Sequence, residues 1–108
     1  MDDLVTGDSD REKLLLEEYL KQTARIHWHD LQTYYAGGSV IRVSTPLDLV
    51  NVAVQLGMDN TDQFQQWIAE GVIAPVAESE ALGWYDSNTL LWAVVASPWV
   101  LVQWKEEP

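Results

Sequence analysis

Cysteine is absent from the chain. Disulfides, thiolate nucleophiles, Cys-ligated zinc and iron–sulfur clusters are therefore excluded. Cations are nearly as scarce: six Lys and Arg stand against seventeen Asp and Glu, a formal charge of −11. Between Arg42 and Lys105 there is no Lys or Arg, while Asp48, Asp59, Asp62, Glu70, Glu78, Glu80 and Asp86 all fall in that interval. Such a surface repels nucleic-acid phosphates and anionic headgroups. Long hydrophobic runs are also missing. The longest, 89–104, is broken at Ser97-Pro98 and falls short of the about 20 residues a membrane helix needs. Nor is there a P-loop, a G-x-G-x-x-G dinucleotide fingerprint or a G-x-S-x-G nucleophile elbow. Gly37, Gly38, Gly57, Gly71 and Gly83 fall at expected helix ends and turns. The opening MDDLVTGDSD is acidic and polar, the reverse of a targeting peptide. These absences lead to the expectation of a cytoplasmic protein with no cofactor, no bound metal, no nucleic-acid partner and no membrane span.

What is present is enough apolar material for one core: 47% of 108 residues are hydrophobic, with six Trp and four Tyr. Residues 9–104 are expected to form one domain, between a disordered acidic tail (1–8) and a short C-terminal tail (105–108). Ser9 and Glu12 form a capping-box pattern. Leu14, Leu15, Leu16, Tyr19, Leu20 and Ala24 then follow at helical spacing, which predicts a helix over about 10–25. Trp28, Leu31 and Tyr35 predict a second helix ending at Gly37-Gly38. Residues 39–43 predict a strand. Thr45-Pro46-Leu47-Asp48 predicts a helix over 46–56 with Thr45 as cap, Pro46 at the first helical position and Asp48 closing the capping box. Asp59 or Asn60 caps the next helix, which Gly71 terminates. Residues 72–76 predict a strand, with Pro75 suited to a sheet edge. A short helix near 79–85 precedes a turn at 86–88.

Residues 89–104, TLLWAVVASPWVLVQW, carry no charge and three of the six tryptophans. Leu90–Ala96 and 99–104 predict two strands joined at Ser97-Pro98, that peptide being expected in the commoner trans form. Neither strand alternates between apolar and polar, so both faces of the hairpin should be covered. Helices of the chain can cover one face. The other calls for the remaining helices or a second subunit, which makes a homodimer one of the expectations. The fold class expected is α+β: a winged-helix-like helical core with a small antiparallel sheet and a C-terminal apolar β-hairpin.

Residues 52–73, VAVQLGMDNTDQFQQWIAEGVI, resemble the helix-turn-helix of MerR-like and excisionase-like DNA-binding proteins. The match rests on Val52-Ala53, Leu56-Gly57, Trp67, Glu70-Gly71 and Val72-Ile73. The likeness implies geometry and not DNA binding, because the helix in the recognition position offers Asp59, Asp62, Gln63, Gln65, Gln66 and Glu70 and no cation to hold phosphates. A second resemblance spans about Arg11 to Gln103. REKL…QTARIHWHDL (11–31), LDLVNVAV (47–54) and above all LLWAVVASPWVLVQ (90–103) are similar to the small bacterial proteins grouped as domain of unknown function 2288. His27 stands where that pattern has proline. The resemblance implies a bacterial domain of that family and brings no activity, substrate or catalytic residues.

His27-Trp28-His29-Asp30 is the one cluster with ligand chemistry, but residues two apart on a helix face different sides, and no third histidine exists to complete a site. The expected role is structural, with Trp28 in the core. No catalytic residue is assigned. The function the sequence supports is a non-enzymatic interaction or regulatory module, binding protein through its acidic helical face (Asp59, Asp62, Gln66) or its aromatic hairpin (Trp92, Trp99, Trp104). The alternative is a small enzyme or ligand-binding protein with a pocket between hairpin and helices using Trp28, Asp30 or Asp48. A DNA-binding regulator ranks behind both.

Overall fold

A computed structural model describes the chain over residues 3–105, with side chains from Asp10 onward. Residues 1–2 and 106–108, parts of the two expected tails, lie outside the described residues. The described chain forms helices α1 (Asp3–Gln22), α2 (Gln32–Ala36), α3 (Leu49–Gly57), α4 (Thr61–Glu70) and α5 (Glu78–Ser87). Its strands are β1 (Ala24–His27), β2 (Val40–Val43), β3 (Ile73–Pro75), β4 (Leu90–Ala96) and β5 (Trp99–Gln103). One turn of 3-10 helix, Trp28–Leu31, precedes α2. The class is α+β and the C-terminal hairpin is present, as the sequence predicts. The sheet is larger than expected and mixed, with order β1-β4-β5-β2-β3. The β2–β5 pair is parallel and the other three are antiparallel. A parallel pair needs a long crossover, and here α3, α4, β3 and α5 supply it.

The apolar hairpin is the centre of the sheet, and strand alternation sends its side chains to two cores. Leu91 and Ala93 of β4 and Val100 and Val102 of β5 pack with Trp28, Leu31, Val40, Val76 and Ala81. Val94, Ala96 and Leu101 point the other way and pack with Val43, Leu49, Val52, Ala53, Trp67 and Ile73. The first face is covered by the 3-10 turn, α2 and α5, and the second by α1, α3 and α4. Helices of the chain thus lie over both faces of its own hairpin, while Trp92, Val95 and Trp104 keep exposed apolar area.

Several local expectations are met. Asn60 caps α4, its Oδ1 accepting from the Gln63 N–H at 3.3 Å, and Gly71 ends the helix at φ 75°. Pro75 lies on the edge strand β3.

Four others are corrected. Helix α1 starts at Asp3, inside the expected tail, because no proline interrupts the segment and extending an existing helix costs little. It stops at Gln22, where the Thr23 hydroxyl donates to the Tyr19 carbonyl at 2.6 Å. Ala24–His27, of which Ala24 and Arg25 were expected to end the helix, are instead strand β1, drawn out by the edge of the long strand β4, with Ala24 opposite Ala93 and His27 opposite Leu90. Helix α3 starts at Leu49 with Asp48 as its cap, the Asp48 Oδ1 accepting from the Val50 N–H at 3.1 Å. Residues 44–47 form a turn in which the Leu47 N–H donates to the Ser44 carbonyl at 3.0 Å. The Ser97–Pro98 peptide is cis rather than trans.

Candidate functional site

The residues singled out in the sequence do not converge on one place. Trp92 and Trp99 share the face of the hairpin that packs under α1, α3 and α4, but at opposite ends, since Trp92 pairs with Gln103 and Trp99 with Ala96. Trp104 emerges on the other face, 46% exposed. Trp92 lies beneath Arg25, whose guanidinium carbon is 5.5 Å from the indole centroid. Trp28 is 1% exposed and wedged between Tyr35 and Trp84, each at a centroid distance of 5.3 Å. Its expected core role is confirmed. Asp30 and Asp48 are exposed and border different surface hollows. His29 is held against α5: its Nε2 lies 2.9 Å from the Tyr85 carbonyl and its ring 4.8 Å from the Tyr85 ring. Among the described residues no three His, Asp or Glu side chains are gathered to hold a metal ion, and no helix is long and apolar enough to cross a membrane.

Two hollows stand out. The larger, about 350 Å³, lies between α4 and the β3 edge of the sheet and is lined by Ile41, Leu56, Phe64, Ile68, Ile73, Ala74, Pro75, Trp99 and Leu101. Every one of these side chains is apolar. Phe64 and Ile68 are four residues apart, so they stand one above the other on the same helix face. Ile68 remains 60% exposed. Asp62, Gln66 and Glu70 occupy the opposite side of α4 by the same periodicity, and Gln66 donates to Glu70 at 3.1 Å. Asp59 lines a smaller hollow on the other side of Leu56 and Phe64, with Asn60 and Thr61. Of the expected interaction residues, the structure thus brings Trp99 to this groove, sets Asp59 in the neighbouring hollow and places Asp62 and Gln66 on the far side of the helix that walls the groove.

The second hollow, about 320 Å³, opens on the other face of the sheet between β2, the end of β5 and α5. Its lining includes Arg42, Ser44, Thr45, Glu80, Trp84 and Trp104. Arg42 Nε lies 3.2 Å from Glu80 Oε1, an ion pair that falls short of a linear hydrogen bond. The Arg42 Nη1 donates to Ser44 Oγ at 2.9 Å. Glu80 Oε1 also accepts from the Ala77 N–H at 3.2 Å, which fixes the carboxylate at the start of α5. Sequence reasoning did not single out Arg42 or Glu80. The available signal was Arg42 itself, the one Lys or Arg between residues 26 and 104, standing in an apolar strand.

A family model described as "Protein of unknown function (DUF2288)" matches residues 15–104. The chain belongs to this family. The solved structures include a similar one, the NMR solution structure of PA1075 from Pseudomonas aeruginosa. It is 36% identical, with a TM-score of 0.76 over 87% of each chain. No curated protein matches. The family match covers the three segments that carry the resemblance in the sequence, apart from the first residues of the 11–31 segment, and its description assigns no activity.

Proposed function

We propose that this protein is a non-enzymatic interaction module of the bacterial cytosol that takes a basic, apolar-faced helix of a protein partner in the groove between α4 and β3. The observation that carries this reading is an open groove lined only by apolar side chains, with Ile68 and the half-buried Trp99 still presenting area to solvent. Exposed apolar concavities with aromatic anchors are where association gains most.

The sheet edge beside the groove argues for a helix rather than an added strand. The Ser44 N–H donates to the Val72 carbonyl, so alternation turns the backbone groups of Ala74 toward β2 and leaves those of Ile73 and Pro75 on the outer edge. Proline has no N–H, so the outer edge offers a single donor and is a poor template for strand addition. Charge favours a basic occupant. A helix is about 10 Å across, so the Asp62–Glu70 stripe lies within about one Debye length of the groove. Asp59 lies in the adjoining hollow that shares Leu56 and Phe64 with the groove, and no Lys or Arg intervenes from residue 43 to 104.

The test is parallel affinity capture from the native cell with the wild-type chain and Ile68→Asp, a substitution at an exposed position. A basic protein retained by the wild type, lost with Ile68→Asp and released by moderate salt is the expected result. Identical captures by both chains would overturn the reading.

A further inference from the structure

On the opposite side of the sheet from the groove, we infer that the Arg42–Glu80 hollow is a binding site for a small, neutral, hydroxyl-rich ring such as a monosaccharide unit. Arg42 is placed at a cost. Its side chain is only 25% exposed, and a guanidinium withdrawn from water needs full compensation. The protein provides it only in part, and Nε is the one Arg42 nitrogen both buried and without a hydrogen bond. Of the five N–H donors of an arginine, one goes to Ser44 Oγ, and Nε faces Glu80 without a linear bond. The Glu80 carboxylate has Oε1 engaged by Arg42 and the Ala77 N–H, and its second oxygen is an acceptor with no protein donor among the described contacts. The hollow thus presents fixed, unspent donors and a fixed, unspent acceptor side by side.

The pairing also sets the ligand's charge. An anion drawn to Arg42 meets the Glu80 carboxylate 3.2 Å away, and a cation drawn to Glu80 meets the guanidinium. A neutral ligand that both donates and accepts can satisfy the two without separating them. The rest of the lining is matched to a ring with an apolar face. Trp84 is held in place by its contact with Trp28 at 5.3 Å, and Trp104 is tied at its carbonyl by the Thr45 hydroxyl at 3.2 Å. Indole surfaces pack against the C–H face of a sugar ring while its hydroxyls reach sideways to polar groups. A hollow of about 320 Å³ has room for one or two such rings.

Titration of the ¹⁵N-labelled protein with methyl glucoside, methyl galactoside and N-acetylglucosamine tests this, read at the indole N–H signals of Trp84 and Trp104 and the Arg42 Nε–H. At least one sugar is expected to shift all three saturably, in the millimolar range that a ring of about a dozen heavy atoms can reach. Trp104→Ala should weaken that binding about tenfold, and Glu80→Gln, which keeps an acceptor for the Ala77 N–H, should weaken it while leaving the rest of the spectrum in place. Trp92→Ala, on the other face, should leave it unchanged. No saturable shift with any of the sugars would overturn the inference. So would equal binding by Trp104→Ala, or stronger shifts of the same signals by acetate or ethylammonium than by the sugars.

Discussion

Gln103 shows how much one side chain can decide here. It is fully buried, and its Nε2 donates to two backbone carbonyls, Ser44 at 2.8 Å and Leu47 at 2.7 Å. Those carbonyls bound the turn that keeps residues 45–47 out of α3, so a residue at the end of β5 fixes where a helix 54 positions earlier begins. The arrangement also fixes the amide's orientation, because reversing it would press an oxygen against two carbonyls. The price of this clamp is an Oε1 buried with no partner. Gln103→Leu is expected to lower stability by roughly 1–3 kcal/mol, the scale for stranding buried polar groups, as measured by urea denaturation. Gln103→Glu should cost more than Gln103→Leu, since it sets a carboxylate or its single proton against both carbonyls. If Gln103→Leu unfolds at the wild-type midpoint, the clamp is not holding the turn.

The elements differ in how far the sequence disclosed them. The hairpin was legible because an uncharged apolar run with one proline can hardly do anything else in a small domain. Helix α4 was legible from both ends, through Asn60 and Gly71. Thr45-Pro46-Leu47-Asp48 carried a capping pattern that placed the start at Pro46, and the later start at Leu49 is enforced by Gln103, which no local pattern reveals. Strand β1 was hidden for a related reason. Ala24, Arg25 and Ile26 continue a helical spacing, and only the free edge of β4 pulls them into a strand. The groove was legible only at Trp99, which was among the expected interaction residues, whereas nothing in the sequence marked Leu56, Phe64 and Ile68 as the walls of an open groove. Arg42 and Glu80, 38 positions apart, could not be paired without the β2–α5 packing.

Packing of α1 rests on another long-range contact of this kind. A Cβ added at Gly57 would sit 3.0 Å from Leu15 Cδ1 and 3.3 Å from the Tyr19 hydroxyl, and Arg11 Nη2 donates to the Gly57 carbonyl at 2.8 Å. Gly57→Val is therefore expected to push α1 off α3, costing about 1–3 kcal/mol. Amide hydrogen exchange should quicken along residues 10–22 while β4 and β5 stay protected. Unchanged exchange in α1 would show that Leu15 simply moves aside.

Charge belongs to the whole molecule. With −11 spread over a small domain, self-repulsion opposes the folded state most at low ionic strength, where the Debye length is about 30 Å, and least near physiological salt, where it is about 8 Å. The melting temperature should therefore rise as neutral salt is added from about 10 to 150 mM, the reverse of what domains held by surface ion pairs do; a flat or falling curve would mean the acids are individually compensated.

The same field separates the two readings of the α3–turn–α4 unit. A helix that reads DNA must first be held on the phosphates, and the neutralisation that drives this comes from Lys and Arg. Over α3 and α4 there is none, and the exposed side of α4 carries Asp62 and Glu70. The chain should pass through heparin and duplex-DNA columns unretarded even at about 10 mM salt, where any cationic contact would be strongest. A cationic amphipathic helical peptide should bind under the same conditions and weaken steeply as salt is raised, and Asp59→Lys, which reverses a charge in the hollow adjoining the groove, should reduce its association rate more than its dissociation rate changes. Retention on DNA that survives to physiological salt would return the helix-turn-helix likeness to a functional role. Peptide binding indifferent to salt would leave the groove as a purely apolar contact.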